Sequence, residues 1–200
     1  IRAAAMILSS NGSRLCSGSM INNVRQDLTP YFLTANHCIY GNTDSWIIMF
    51  NYESPSCANE NGPTNMTVQG TTLRASGSGS DFALFELSET PPESYEIHYS
   101  GWSAVDVAPV QPVAIHHPSG DIKKISFDYE NGISDGWSGN DGSHWRVADW
   151  EDGTTEPGSS GSPLYDADHR IVGQLHGGEA SCSYNVNDYY GKFSTSWNNG

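Results

Sequence analysis

Basic residues are scarce in this chain. Lys and Arg number 9 against 23 Asp and Glu, which gives a formal net charge of −14 over 200 residues. Such a surface repels the phosphates of nucleic acid and anionic lipid and draws cationic substrates, so neither a nucleic-acid nor a membrane partner is expected. Long apolar runs are missing too. Trp46-Ile47-Ile48-Met49-Phe50 has the length of a strand, whereas a membrane span needs about 18 apolar residues or more. No secretory leader is visible. The opening Ile1-Arg2-Ala3-Ala4-Ala5-Met6-Ile7-Leu8 reads as a strand already under way, as in a processed chain or a trimmed domain. Cysteine is limited to Cys16, Cys38, Cys57 and Cys182, with no CxxC spacing, which speaks against a zinc ribbon and for disulfides in an oxidising compartment. Helical periodicity is absent, as are internal repeats; the one biased tract is Ser76-Gly77-Ser78-Gly79-Ser80.

What is present is a folded-protein composition. Hydrophobic residues make up 36% and aromatics 11%, and the charges are scattered rather than in runs, so the chain can bury a substantial core. Short period-two apolar segments, broken by Gly, Asn, Ser and Pro, predict strands over 4–9, 15–21, 31–34, 46–51, 66–75 and 82–86. Beyond a polar stretch at 88–94 with Pro91-Pro92 come strands over 95–102, 112–117, 122–128, 144–149, 162–165, 171–176 and 189–195. Residues 130–143 read as a Gly-, Asp- and Ser-rich loop around Trp137. Many short strands with frequent turns make an all-β sandwich or barrel. The polar stretch with its two prolines is the joint between two halves, 1–92 and 93–200.

Three stretches carry chemistry. Thr34-Ala35-Asn36-His37-Cys38 ends a buried strand on a histidine, a side chain suited to general-base work. Ser80-Asp81-Phe82-Ala83-Leu84 places a carboxylate at the start of a strand, where it could orient an imidazole. Glu156-Pro157-Gly158-Ser159-Ser160-Gly161-Ser162-Pro163 sets serines among glycines, which permit close backbone approach. Read together, these are the residue types of a Ser-His-Asp triad. His116-His117-Pro118 is read as a strand end rather than a metal site, since no carboxylate or cysteine cluster completes it. Neither a metal nor another cofactor is expected.

The order His37, Asp81, Ser160, with these flanks, resembles the chymotrypsin/trypsin family of serine proteases. The resemblance implies two antiparallel β-barrels with the active site in the cleft between them. It also implies a Cys16–Cys38 disulfide bracing the histidine turn, and Gly158 and Ser160 as the oxyanion-hole N–H pair. The family pattern Gly-Asp-Ser-Gly-Gly-Pro aligns with Gly158-Ser159-Ser160-Gly161-Ser162-Pro163, which selects Ser160 over Ser159 and Ser162 as nucleophile. There are departures. Asn36 stands where alanine is usual. Ser159 replaces the aspartate that receives a new N-terminal ammonium in trypsin-like members, so Ile1 is not expected to act as such a terminus. Thr154 stands six residues before Ser160, where trypsin has its pocket aspartate.

Thr-Glu-Pro-Gly-Ser-Ser-Gly-Ser-Pro, Gly-Gln-Leu-His-Gly-Gly, Ile-His-His-Pro-Ser-Gly and Asp-Tyr-Tyr-Gly-Lys-Phe narrow the likeness to the bacterial lysyl endopeptidase branch. That branch implies Asp188 as the partner of a P1 lysine ammonium, with Glu156 nearby. It implies His176 and Gly177 along the substrate cleft, and Trp137 stacked over His176. Cys57 and Cys182 could pair with each other; the branch implies instead that each bonds to a cysteine of an N-terminal extension. It also implies a terminal helix where this chain ends at Trp197-Asn198-Asn199-Gly200. The expected protein is a secreted, monomeric bacterial endopeptidase cleaving after lysine. The alternatives are a broader Lys/Arg preference, a catalytically silent homologue that binds through its cleft, or a metalloenzyme using the histidines.

Overall fold

The computed structural model describes residues 1–199. Strands β1 (Ala4–Leu8), β2 (Arg14–Ile21), β3 (Tyr31–Ala35), β4 (Ile47–Phe50), β5 (Thr67–Gln69), β6 (Thr71–Gly77) and β7 (Phe82–Leu87) form one antiparallel sheet, in the order β5-β4-β1-β2-β3-β7-β6. The continuous strand expected over 66–75 is broken at Gly70, whose φ of +98° leaves the extended region. Only Gly70 separates β5 from β6, so the two edges of the sheet adjoin and it curls into a barrel. Alternate residues point inward, and Ile7, Met20, Phe32, Trp46, Ile48, Phe50 and Phe85 fill it.

The second sheet repeats the plan. Strands β8 (Val113–His116), β9 (Lys124–Phe127), β10 (Ile133–Asp135), β11 (His144–Asp149), β12 (Pro163–Tyr165), β13 (Ile171–Gly178) and β14 (Val186–Lys192) run in the order β10-β11-β14-β13-β12-β8-β9 around Trp145, Val147, Trp150, Leu164 and Tyr190. The fold is thus all-β, as the strand pattern implies, with the two antiparallel barrels that the resemblance implies.

Three local expectations need correction. Residues 95–102 form no strand, only a short 3-10 turn (Glu93–Tyr95) and isolated bridges at Ser100 and Trp102. The Gly-rich loop contains β10, held by pairing to β11 rather than by its own composition. The third concerns helix. Strand β14 stops at Lys192 and helix α1 (Phe193–Asn199) follows, where no helical pattern was read. Phe193 and Trp197, one turn apart, both pack on Trp102, with ring centroids 5.0 and 4.8 Å away, so tertiary burial decides the conformation. Gly200, the last residue of the quoted tail, lies outside the described residues.

The barrels meet through polar clamps as well as apolar packing. Ser17 of β2 donates its N–H to the Ser160 carbonyl (2.8 Å) and its hydroxyl to the Gly158 carbonyl (2.9 Å), and it accepts the His117 N–H (3.0 Å). From the second barrel, Gln174 donates to the Ser80 carbonyl at 2.7 Å, beside Asp81. These bonds fix the two halves of the candidate site relative to each other.

Candidate active site

His37 sits in a 3-10 turn at the end of β3, and Asp81 at the start of β7; the two strands are neighbours in the first barrel. Asp81 takes a left-handed backbone, φ +54°, and its carbonyl accepts the Asn36 N–H at 2.8 Å. The carboxylate then clamps His37 twice. Oδ1 accepts the His37 backbone N–H at 2.9 Å, and Oδ2 lies 2.6 Å from Nδ1. A carboxylate only accepts, so Nδ1 carries the proton and Nε2 presents its lone pair to the cleft. Asp81 is buried while the His37 side chain is 39% exposed, the arrangement a base needs to be both held and reachable. A disulfide joins Cys16 and Cys38, tying β2 to the histidine turn.

Ser160 lies, half-buried, on the loop leading into β12. Gly161, φ +79°, makes the approach possible. A Cβ there would overlap Thr34 Oγ1 and stand 2.5 Å from the Ser17 carbonyl oxygen and 2.7 Å from the Ala35 nitrogen. Gly161, the residue after the serine, is therefore pressed against Ala35 at the end of β3, two residues before His37 in the first barrel. Among the described residues, the backbone N–H groups of Gly158 and Ser160 donate to no protein acceptor. Two free N–H groups flanking a serine are what an oxyanion site requires.

Around the imidazole lies an aromatic stack. His176 of β13 stacks on His37, centroids 5.6 Å apart, and its Nε2 is 3.8 Å from Asp81 Oδ2. Trp137 covers His176 at 3.8 Å and meets Tyr189 edge-on at 5.8 Å. Gly177 carries no side chain between them; a Cβ would stand 3.4 Å from the indole. His144 Nε2 is 3.0 Å from His176 Nδ1 on the far side. Burial lowers the pKa of His176, and that of His144 to about 4, so both rings stay neutral near pH 7. The ring nitrogens of His37 and His176 and the Asp81 carboxylate lie within 4.8 Å of one another, close enough for a metal. Each Asp81 oxygen already receives a donor from His37, which leaves that carboxylate committed to the imidazole.

Asp188 is buried in β14, with 1% of its surface exposed. Oδ2 accepts from Thr155 Oγ1 at 2.6 Å and from Trp150 Nε1 at 2.8 Å. Burial raises its pKa, against the hydrogen bonds from Thr155, Trp150 and the Ala180 backbone. Glu156 goes elsewhere. Its carboxylate accepts from Ser119 Oγ at 2.9 Å and lies beside the Cys182 thiol, at the rim of a cavity of about 750 Å³ that Thr154 and Lys124 also line. Asp188 and Glu156 thus stand in different surroundings. Cys57 and Cys182 are exposed thiols, not joined to each other.

Residues 1–191 match the family described as lysyl endopeptidase, C-terminal domain. The chain belongs to the lysyl endopeptidase family. It is 31% identical to a lysyl endopeptidase of Pseudomonas aeruginosa over 208 aligned residues, covering 96% of this chain and 44% of that protein, so it spans less than half the length of that relative. Among solved structures it is similar to a thermostable serine protease, AL20, from an extremophilic microorganism, with a TM-score of 0.68, 13% identity and coverage of 98% and 93% of the two chains. It is also similar to the HtrA-type protease AlgW with tripeptide, with a TM-score of 0.66, 16% identity and coverage of 98% and 58%. At these identities the likeness to the solved structures is one of fold.

In this family member several partners of the quoted residues were not read from the sequence. Thr155 and Trp150, which hold Asp188, lie 33 and 38 residues from it, and no periodicity announces them. His144 gives no signal beyond its strand, and His116 reads as a strand end. Ser17, which touches Gly158, Ser160 and His117, carries no signal of its own in the sequence. No helix among the described residues is long and apolar enough to cross a membrane.

Proposed function

We propose that this chain is the peptidase domain of a secreted bacterial serine endopeptidase that cleaves peptide bonds on the carboxyl side of lysine. The barrels of residues 1–92 and 93–200 act as one unit and work as a monomer on peptide or protein substrates. Ser160 Oγ attacks the scissile carbonyl while His37 Nε2 takes its proton. Asp81 holds the ring and stabilises the imidazolium, and the N–H groups of Gly158 and Ser160 receive the developing oxyanion. His37 then returns the proton to the leaving amine, leaving an acyl-enzyme that water hydrolyses by the same steps in reverse. The observation that carries this reading is the double clamp of Asp81 on His37, which leaves only Nε2 free.

Lysine is favoured over arginine by the donors around Asp188. Thr155 and Trp150 both occupy Oδ2 and the Ala180 backbone also bonds to the carboxylate, so Asp188 does not offer the pair of open oxygens that a guanidinium fork engages, whereas a compact ammonium needs a single lone pair. Trp137, His176 and Gly177 line the cleft toward the substrate, and Glu156 adds negative potential from the outer wall. Intact-mass analysis after exposure to a fluorophosphonate tests the nucleophile. One adduct on Ser160 is expected, absent in Ser160→Ala and slowed by several orders of magnitude in His37→Ala. No adduct, or one that survives Ser160→Ala, overturns the reading.

A further inference from the structure

His116 takes no part in the triad or in the Asp188 pocket, yet it is wholly buried at the end of β8 with both ring nitrogens engaged. Nδ1 lies 2.8 Å from Ser159 Oγ and Nε2 lies 3.0 Å from Ser126 Oγ. Proton inventory sets the direction of each bond. Ser126 Oγ donates to the Thr154 carbonyl at 3.1 Å. A hydroxyl has one proton, so Ser126 accepts from the ring, and Nε2 carries the hydrogen. Nδ1 of the neutral ring is then an acceptor, and Ser159 Oγ–H donates to it. Ser159 Oγ in turn accepts the Glu156 N–H at 3.2 Å. Every polar atom along this line is satisfied in one consistent sense.

The chain grips the nucleophile segment at two points. Through Ser126 it holds Thr154, and through Ser159 it holds the turn in which the Ser159 N–H donates to the Glu156 carbonyl (2.9 Å) and the Ser162 N–H to the Ser159 carbonyl (3.0 Å). Ser160 sits inside that turn. Its immediate neighbour, Ser159, stands where a carboxylate would have no proton to give Nδ1.

We propose that His116, neutral and protonated on Nε2, is a positioning residue that pins both ends of the segment from Thr154 to Ser159 and so fixes where Ser160 and its free N–H stand. The proposal rests on the reading of Ser160 as nucleophile. Burial supports the neutral form by holding the ring's pKa down to about 4, against the nearby Glu156, which raises it, and with Lys124, which lowers it.

The test compares His116→Phe, which keeps a ring but neither hydrogen bond, and Ser159→Ala, which removes only the loop end. Ser100→Ala serves as control, because it deletes a buried hydroxyl bonded 3.0 Å from Tyr165 Oη, away from the loop. Amide hydrogen exchange and the fluorophosphonate labelling rate are measured well below the Tm of each variant. The two loop variants exchange the amides of residues 159 and 162 at least tenfold faster, with the β1 amides unchanged, and label at least tenfold more slowly. Ser100→Ala does neither. Exchange and labelling within twofold of the native chain, or loss of protection spread evenly over β1 and the loop, overturns the proposal. If His116→Phe does not fold, Ser159→Ala decides. If the native chain takes no label, the nucleophile reading fails, and the exchange pattern alone decides whether His116 pins the segment.

Discussion

Replacing Asp188 by Asn separates recognition from folding. The side chain is 1% exposed and keeps its shape on substitution, and an amide oxygen can still accept from Thr155 and Trp150. What disappears is a buried negative charge. In the free protein that charge is a burden, since burial already raises its pKa. Stability should therefore not fall by more than about 1 kcal/mol, which is about 2–4 °C in Tm for a domain of this size. With a lysyl substrate the ammonium enters a buried site without its counter-charge, a loss of about 2–5 kcal/mol. That corresponds to roughly 30- to 5,000-fold in kcat/KM, by about 1.4 kcal/mol per tenfold. The assay compares ester substrates with lysine or norleucine at P1. Norleucine has the length of lysine without its charge. Asp188→Asn should lose activity on lysine and hold or gain it on norleucine. If both substrates fall together, or lysine changes by less than about threefold, Asp188 does not bind the ammonium and the reasoning is wrong.

Three further outcomes follow from the geometry. Gly161→Ala forces a Cβ against Thr34 and the Ser17 carbonyl in a left-handed backbone, so it should cost about 3 kcal/mol or more, seen by calorimetry as a Tm lower by about 6–12 °C, and slow labelling of Ser160. His116, His117 and His144 are held neutral with pKa values of about 4, 3 and 4, chiefly by burial. Because the unfolded chain binds protons below about pH 6.5 and the folded one does not, stability should be full above that pH and fall toward pH 4, by on the order of 3 kcal/mol for His116 alone. Urea midpoints that stay level from pH 7.5 to 4.5 would contradict this. Reducing Cys16–Cys38, which are 22 residues apart, should lower unfolding free energy by about 3 kcal/mol and raise the titratable thiols from two to four.

The all-β class was legible because most strands are short and alternate; the two-barrel plan came only with the resemblance carried by the motif order His37, Asp81, Ser160. Strand edges were harder. Nothing local marks Ile133–Asp135 as a strand, since only its pairing with β11 makes it one. Nor does the run of Phe193 to Asn199 look helical until Trp102 is placed against it. At the site, the clamp of Asp81 on His37 follows from strands adjacent in the sheet, so motif reading came close to it. The surroundings of Glu156 were not legible, because sequence order gives no side-chain direction: Thr155 reaches Asp188, and its neighbour Glu156 reaches Ser119. The His116 line was illegible for the same reason that makes it informative: it joins Ser126, Thr154 and Ser159 through the interior, over separations of 10 to 43 residues.

The central claim is tested most directly by digesting an unstructured peptide with one each of Lys, Arg, Phe, Leu, Glu and Ala, and reading the cut sites by mass spectrometry beside Ser160→Ala. The account predicts a single cut, after lysine, absent in the variant. Cutting after arginine to the same extent contradicts the lysine pocket at Asp188, and cutting that persists in Ser160→Ala contradicts the mechanism itself.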